Sequence, residues 1–104
     1  MCHLFASQPP ETYETHTRSV RIGGHSTSIR LEAVYWDILE ELAAHQAMSV
    51  GRFVTRLHDE VLDLHGDVHN FTSLLRCCCL KYVAEMRPAG KIPVRPPLGL
   101  VAAE

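Results

Sequence analysis

The 104-residue sequence lacks most of the features that mark membrane, secreted and catalytic chains. No apolar run approaches the ~20 residues of a membrane helix. The N-terminus has no secretory-leader pattern, so the expected compartment is the cytoplasm, with no membrane partner. Four cysteines are present, Cys2 and the run Cys77, Cys78, Cys79. Adjacent cysteines on one helix point in different directions, which argues against a secreted disulfide framework. Reduced thiols packed as small apolar groups account for at least two of the three. There is no Gly-rich phosphate loop and no G-x-S-x-G elbow, so an enzyme is not expected and no cofactor is implied. Basic charge is not in excess either: 10 Lys and Arg stand against 12 Asp and Glu, a formal charge of -2. Nucleic-acid binding by bulk charge is thereby disfavoured, and any such binding must come from a local patch.

What the chain does contain is order along its length. The size suits one domain, and a chain this small gains from sharing its core with a second copy. Residues 1–17, MCHLFASQPPETYETHT, read as an irregular arm, because Pro9-Pro10 opposes a regular helix. RSVRIGGHSTSIRLE, Arg18 to Glu32, then alternates, breaks at Gly23-Gly24 and alternates again, carrying three arginines and no carboxylate before Glu32. In its first half Arg18, Val20 and Ile22 share one face, and Ser19 and Arg21 the other. In its second half Ser26, Ser28 and Arg30 are outward candidates, while Thr27, Ile29 and Leu31 face inward. A hairpin turning at the glycines fits this pattern, and so do two strands pairing across a dimer.

Helical periods follow. In EAVYWDILEELAAHQA, Tyr35, Ile38, Leu39, Leu42 and Ala43 form an apolar stripe that Val34 and Trp36 widen. After the short link Ala47-Met48, Ser49 is placed to cap a second helix, whose stripe is Val50, Phe53, Val54, Leu57, Val61 and Leu64 and whose end lies near Gly66. NFTSLLRCCCLKYVAEM predicts a third helix, capped by Asn70 or Thr72, with Leu74, Leu75, Cys78, Tyr82 and Val83 buried. Residues 18–86 form the domain in this reading. The remainder, 87–104, is a proline-rich tail expected to be extended or docked on a neighbour.

With the order ribbon, helix, short turn, helix in view, TSIRLEAVYWDILEELAAHQAMSVGRFVTRL resembles the ribbon-helix-helix module of the Arc and MetJ type. RSVRIGGHSTSIRLE, the helix-one Trp and NFTSLLR are similar to a bacterial subgroup of small uncharacterised ribbon-helix-helix proteins. The resemblance covers roughly Arg18 to Glu85. It implies a mostly α fold with a short β-ribbon: an intertwined homodimer, here with an extra N-terminal strand and an extra C-terminal helix. One strand from each subunit would form an antiparallel ribbon that enters the major groove of double-stranded DNA, and the chain would be a transcriptional regulator. Ser26, Ser28 and Arg30 would then read bases, Arg30 through a bidentate contact to guanine. The N-terminus of the second helix, Val50, Gly51 and Arg52, with Arg56 as an added charge, would hold backbone phosphate. Arg18 and Arg21 would add flanking phosphate contacts or simply brace the ribbon.

Plainer readings stand beside these. The arginines of the ribbon are equally those of a solvent-exposed hairpin. A ribbon-helix-helix dimer can also serve as a protein-interaction module, engaging a partner through its third helix or tail. LHDEVLDLHGDVHNF brings His58 and His65 seven residues apart on roughly one helical face. Without a close His-x3-His or Cys-x2-Cys pair, however, it reads as a polar helix end and loop rather than a metal site. Cys2 beside His3 reads as an exposed thiol, and the Cys77–Cys79 run as core packing rather than a redox sensor.

Overall fold

The computed structural model describes residues 2–87; the expectation for the proline-rich tail lies outside them. The N-terminal segment is not the irregular arm that its prolines suggest. It forms two short helices, α1 (Cys2–Ala6) and α2 (Pro10–Tyr13), neither of which buries a residue. Pro10 opens α2 at the first helical position, where its missing N–H has no intrahelical acceptor to forgo.

Strands β1 (Thr15–Ile22) and β2 (His25–Glu32) pair antiparallel, with Ile22 opposite His25 and Thr15 opposite Glu32. Between them Gly23 and Gly24 both take positive φ, 60° and 82°. That is the type I′ geometry whose twist matches a hairpin and which glycine adopts without strain. Both strands of the ribbon therefore belong to one chain. β1 also begins earlier than the Arg18 boundary, because Thr15, His16 and Thr17 continue the pairing.

The inner face of the hairpin buries Val20, Ile29 and Leu31. They rest on α3 (Ala33–His45), α4 (Val50–His65) and α5 (Phe71–Lys81), where Trp36, Leu39, Ala43, Val50, Val54, Leu75 and Cys79 complete one core. Trp36 is 2% exposed and sits at its centre rather than at the margin of the α3 stripe. Its indole Nε1–H donates to the His16 carbonyl at 2.9 Å. Ser49 caps α4, its hydroxyl accepting from the Arg52 amide at 3.2 Å, and Gly66 ends α4 in the left-handed region at φ 84°. Along α4 only Val50 and Val54 are buried. Leu64, expected on the buried stripe, is 78% exposed, because no element among the described residues covers the C-terminal end of the helix.

At the start of α5 Asn70 takes φ 51° and its side chain makes no capping bond. The buried face is Leu75, Cys79 and Tyr82, while Leu74, Cys78 and Val83 are half-buried. Burial pushes the Cys79 thiol up to about 12, and it donates to the Tyr35 carbonyl at 3.6 Å. The helix ends in a π-helical turn, Tyr82–Met86. There the Tyr82 hydroxyl donates to Glu41 at 2.7 Å, and Arg87 grips the same carboxylate with two bonds of 2.9 and 3.0 Å.

Truncating Leu39, fully buried at the meeting of ribbon and helices, should cost about 2–5 kcal/mol; the urea unfolding midpoint of Leu39→Ala measures it. A second expectation concerns acid. Hydrogen bonds from Arg76 at 3.1 and 3.4 Å hold the Glu32 carboxyl below its ordinary value of 4.5. A depressed folded-state pKa contributes stability that is complete above the unfolded value and is lost as pH falls through the folded one. Urea midpoints followed from about pH 6 down to 2 should therefore decline less in Arg76→Gln than in wild type.

Candidate nucleic-acid interface

Directly opposed residues of an antiparallel pair lie on one face. The register places Thr17 opposite Arg30, Ser19 opposite Ser28 and Arg21 opposite Ser26, all six exposed. The outer face of the hairpin is thus a row of hydroxyls with an arginine toward each end. Ser26, Ser28 and Arg30 stand side by side on β2, as their alternation predicts. Ser19 and Ser26 share a hydroxyl–hydroxyl bond of 2.7 Å, and the Arg30 Nε–H donates to the Thr15 hydroxyl at 3.1 Å.

Arg18 lies on the opposite face. It stacks over the Trp36 ring, 4.6 Å from the centroid, and pairs with Glu40 at 2.8 Å. Its charge is paired at the surface on the other face of the hairpin, away from Ser26, Ser28 and Arg30. Arg21, by contrast, is brought to the residues proposed for phosphate. With Ser19 and Val20 from β1 it lines a concavity of about 520 Å³ whose other wall is Gly51, Arg52, Thr55, Arg56 and Asp59 of α4. The Thr55 hydroxyl donates to the Arg21 carbonyl and ties the two walls together. Val50 is not part of this lining, since its side chain is in the core. Helix geometry leaves the first N–H groups of α4 without intrahelical acceptors, and their partial positive charge faces the same end of the helix as Gly51 and Arg52.

The arginines of the described residues sort into two classes. Arg18, Arg76 and Arg87 each pair with a glutamate, Glu40, Glu32 and Glu41 respectively. Arg21, Arg30, Arg52 and Arg56 pair with no carboxylate, and all four lie on the outer face of the ribbon or in the adjoining concavity. A chain of net negative charge thereby acquires a local positive surface.

Sequence comparison matches a ribbon-helix-helix domain family over residues 15–83. The chain belongs to the ribbon-helix-helix family. Among solved structures it is similar to an uncharacterised protein from Bordetella pertussis Tohama I, at 41% identity and a TM-score of 0.80, over 91% of this chain and 80% of that one. No curated protein matches the sequence.

The matched stretch takes in both strands of the hairpin and all of α3, α4 and α5. The resemblance implies a ribbon of one strand from each subunit; here β1 and β2 of a single chain already pair. The strand-to-helix step is tight, with the Ala33 amide donating to the Glu14 carbonyl at 2.7 Å as the ladder ends. That bond also fixes which edge is open. Residues 25, 27, 29, 31 and 33 turn their backbone groups toward β1, so Ser26, Ser28 and Arg30 turn theirs away, where nothing among the described residues bonds them.

The histidine-rich segment contributes no such cluster. His58 packs edge-on against Phe71 at 5.1 Å, and His65 is the exposed last residue of α4. Among the described residues no group of three His, Cys, Asp or Glu side chains is placed to hold a metal, and no helix is long and apolar enough to cross a membrane. Thr17, Ser19 and Thr55 carry no motif in the sequence; the signal for Thr55 is its position one helical turn after Gly51, on the same side of α4.

Removing the Thr55 hydroxyl while keeping its shape, Thr55→Val, should cost about 1 kcal/mol, the net worth of the lost bond to the Arg21 carbonyl, and speed amide exchange along β1. Hydrogen exchange read residue by residue checks it.

Proposed function

We propose that the protein is a homodimeric, sequence-specific DNA-binding regulator of transcription that inserts an antiparallel β-ribbon into the major groove. The observation that carries this reading is the sorting of the arginines. Every described arginine without a carboxylate partner lies on the outer ribbon face or beside it, among hydroxyls able to bond bases and phosphates. Arg30 reads guanine through its paired donors, Ser26 and Ser28 bond neighbouring base edges, and the start of α4 with Gly51 and Arg52 holds the backbone.

The open β2 edge supports a dimer in which the two β2 strands meet antiparallel, giving the order β1, β2, β2, β1. Four strands at a spacing of ~4.8 Å span roughly 14 Å before side chains are counted. The major groove is about 12 Å wide. The two central strands therefore enter, with their Ser26, Ser28 and Arg30 rows, and the β1 strands ride at the rims. There Arg21 and the concavity beside it meet the sugar-phosphate backbone. Arg18, on the other face of the hairpin, braces β1 on Trp36 rather than touching DNA. The uncovered Leu62 and Leu64 of α4 supply apolar surface for the same association, as expected where a small chain completes its core with a copy of itself.

Two variants separate reading from holding. In a salt-series binding assay on selected duplexes, Arg30→Ala should lose about 1–3 kcal/mol and relax sequence preference, whereas Arg52→Gln should weaken all duplexes alike and lower the salt slope by about 1. Equal binding of wild type and Arg30→Ala to every duplex would remove Arg30 from the role.

A further inference from the structure

The concavity between β1 and α4 has more capacity than one backbone phosphate needs. Its volume of about 520 Å³ falls within the roughly 300–1,000 Å³ of small-molecule sites. Three guanidinium groups, Arg21, Arg52 and Arg56, line it with no ion pair among the described residues, beside the Ser19 hydroxyl that is shared with Ser26 and the Thr55 hydroxyl that donates to the Arg21 carbonyl. A fixed fork of N–H donors is the side-chain geometry best matched to phosphate oxygens. The wall also includes the carboxylate of Asp59, which forms no salt bridge with these arginines. Toward a polyanionic strand Asp59 is unfavourable. Toward a small molecule bearing hydroxyls away from its phosphate it is an acceptor. The two kinds of wall residue together describe a ligand with one anionic end and one hydrogen-bond-donating end.

We propose that this concavity binds a free phosphate ester, a small phosphorylated molecule carrying hydroxyl groups, and that the ester competes with DNA for Arg21. The competition follows from placement. Arg21 belongs both to the wall of the concavity and to the outer face of the ribbon, opposite Ser26. A guanidinium folded over a bound phosphate in the concavity is withdrawn from that face. The second half of the proposal rests on the DNA-binding reading above; the first half does not.

The test begins without DNA. Isotope-labelled full-length protein is titrated with ribose 5-phosphate, inorganic phosphate and ribose, and backbone amide shifts are followed. Ribose 5-phosphate should give saturable shifts at Gly51, Arg52 and Thr55, and ribose none. Arg56→Gln, an exposed substitution, should weaken the ester by about tenfold, the loss of one charge-assisted bond. Asp59→Asn should tighten inorganic phosphate, so the two variants move anion affinity in opposite directions, which a general loosening of the fold would not do. Absence of saturable shifts with ribose 5-phosphate, or wild-type affinity in Arg56→Gln, overturns the site. A duplex is then added: release of DNA by the ester in wild type but not in Arg56→Gln supports the competition, and DNA affinity indifferent to saturating ester overturns it. Failure to bind any duplex would count against the DNA reading and leave the first titration to stand on its own result.

Discussion

The ribbon is held to the helices through Trp36. Its indole is almost completely buried, its Nε1–H bonds the backbone of β1 at His16, and its ring face carries Arg18. A hairpin of two strands is marginal alone in water and needs a surface to pack on. Trp36 supplies that surface and also a directional bond, so the hairpin cannot slide along α3 without breaking it. Val20, Ile29 and Leu31 then complete the contact, and the alternation of the strands dictates that the hydroxyl and arginine row faces solvent.

The same motif occurs three times. Arg18 over Trp36 pairs with Glu40, Arg76 over Tyr35 pairs with Glu32, and Arg87 over Tyr82 pairs with Glu41. In each, a guanidinium lies on an aromatic face while its donors meet a carboxylate, and the ring shields the pair most where Arg87 is nearly buried and least at the half-exposed Arg18–Glu40. These pairs join the hairpin to α3, α5 to the end of β2, and the final π-helical turn back to α3. They also match three positive with three negative charges away from the outer face of the ribbon. What remains at the ribbon is therefore positive even though the chain total is negative, and the bulk charge misrepresents the surface that matters.

Much of this was legible locally. Strict alternation in STSIRL marked the two faces of β2, and Ser49 and Gly66 marked the bounds of α4, because each depends only on neighbours in the chain. The glycine pair suited a turn without deciding between a hairpin and strands paired across a dimer. The start of β1 at Thr15 was hidden by the adjacent prolines, whose effect on α2 is an initiation signal rather than a break. The pairings of Arg18, Arg76 and Arg87 span 22, 44 and 46 residues and leave no periodic trace. Arg18 and Arg21 look alike in RSVRI, yet odd and even positions on a strand send one to the core side and the other to solvent. The buried thiol is Cys79 rather than Cys78 because the face set by Leu75 continues at Cys79 and Tyr82, four and seven residues on. Which members of a broad apolar stripe are buried depends on what packs against them, and that is a tertiary property.

The turn at Gly23-Gly24 has a kinetic consequence. Where a ribbon takes one strand from each of two chains, its surface comes into being only on bimolecular encounter, and its abundance follows the square of chain concentration. Here a two-residue loop pairs β1 with β2 within a single molecule, on the surface that its own helices supply. The registration of Arg21 against Ser26 and of Arg30 against Thr17 is thus a first-order event, independent of dilution. In the proposed dimer a second chain would add the central β2–β2 pairing to a hairpin already formed, which would separate the making of the hairpin face from the control of its valence.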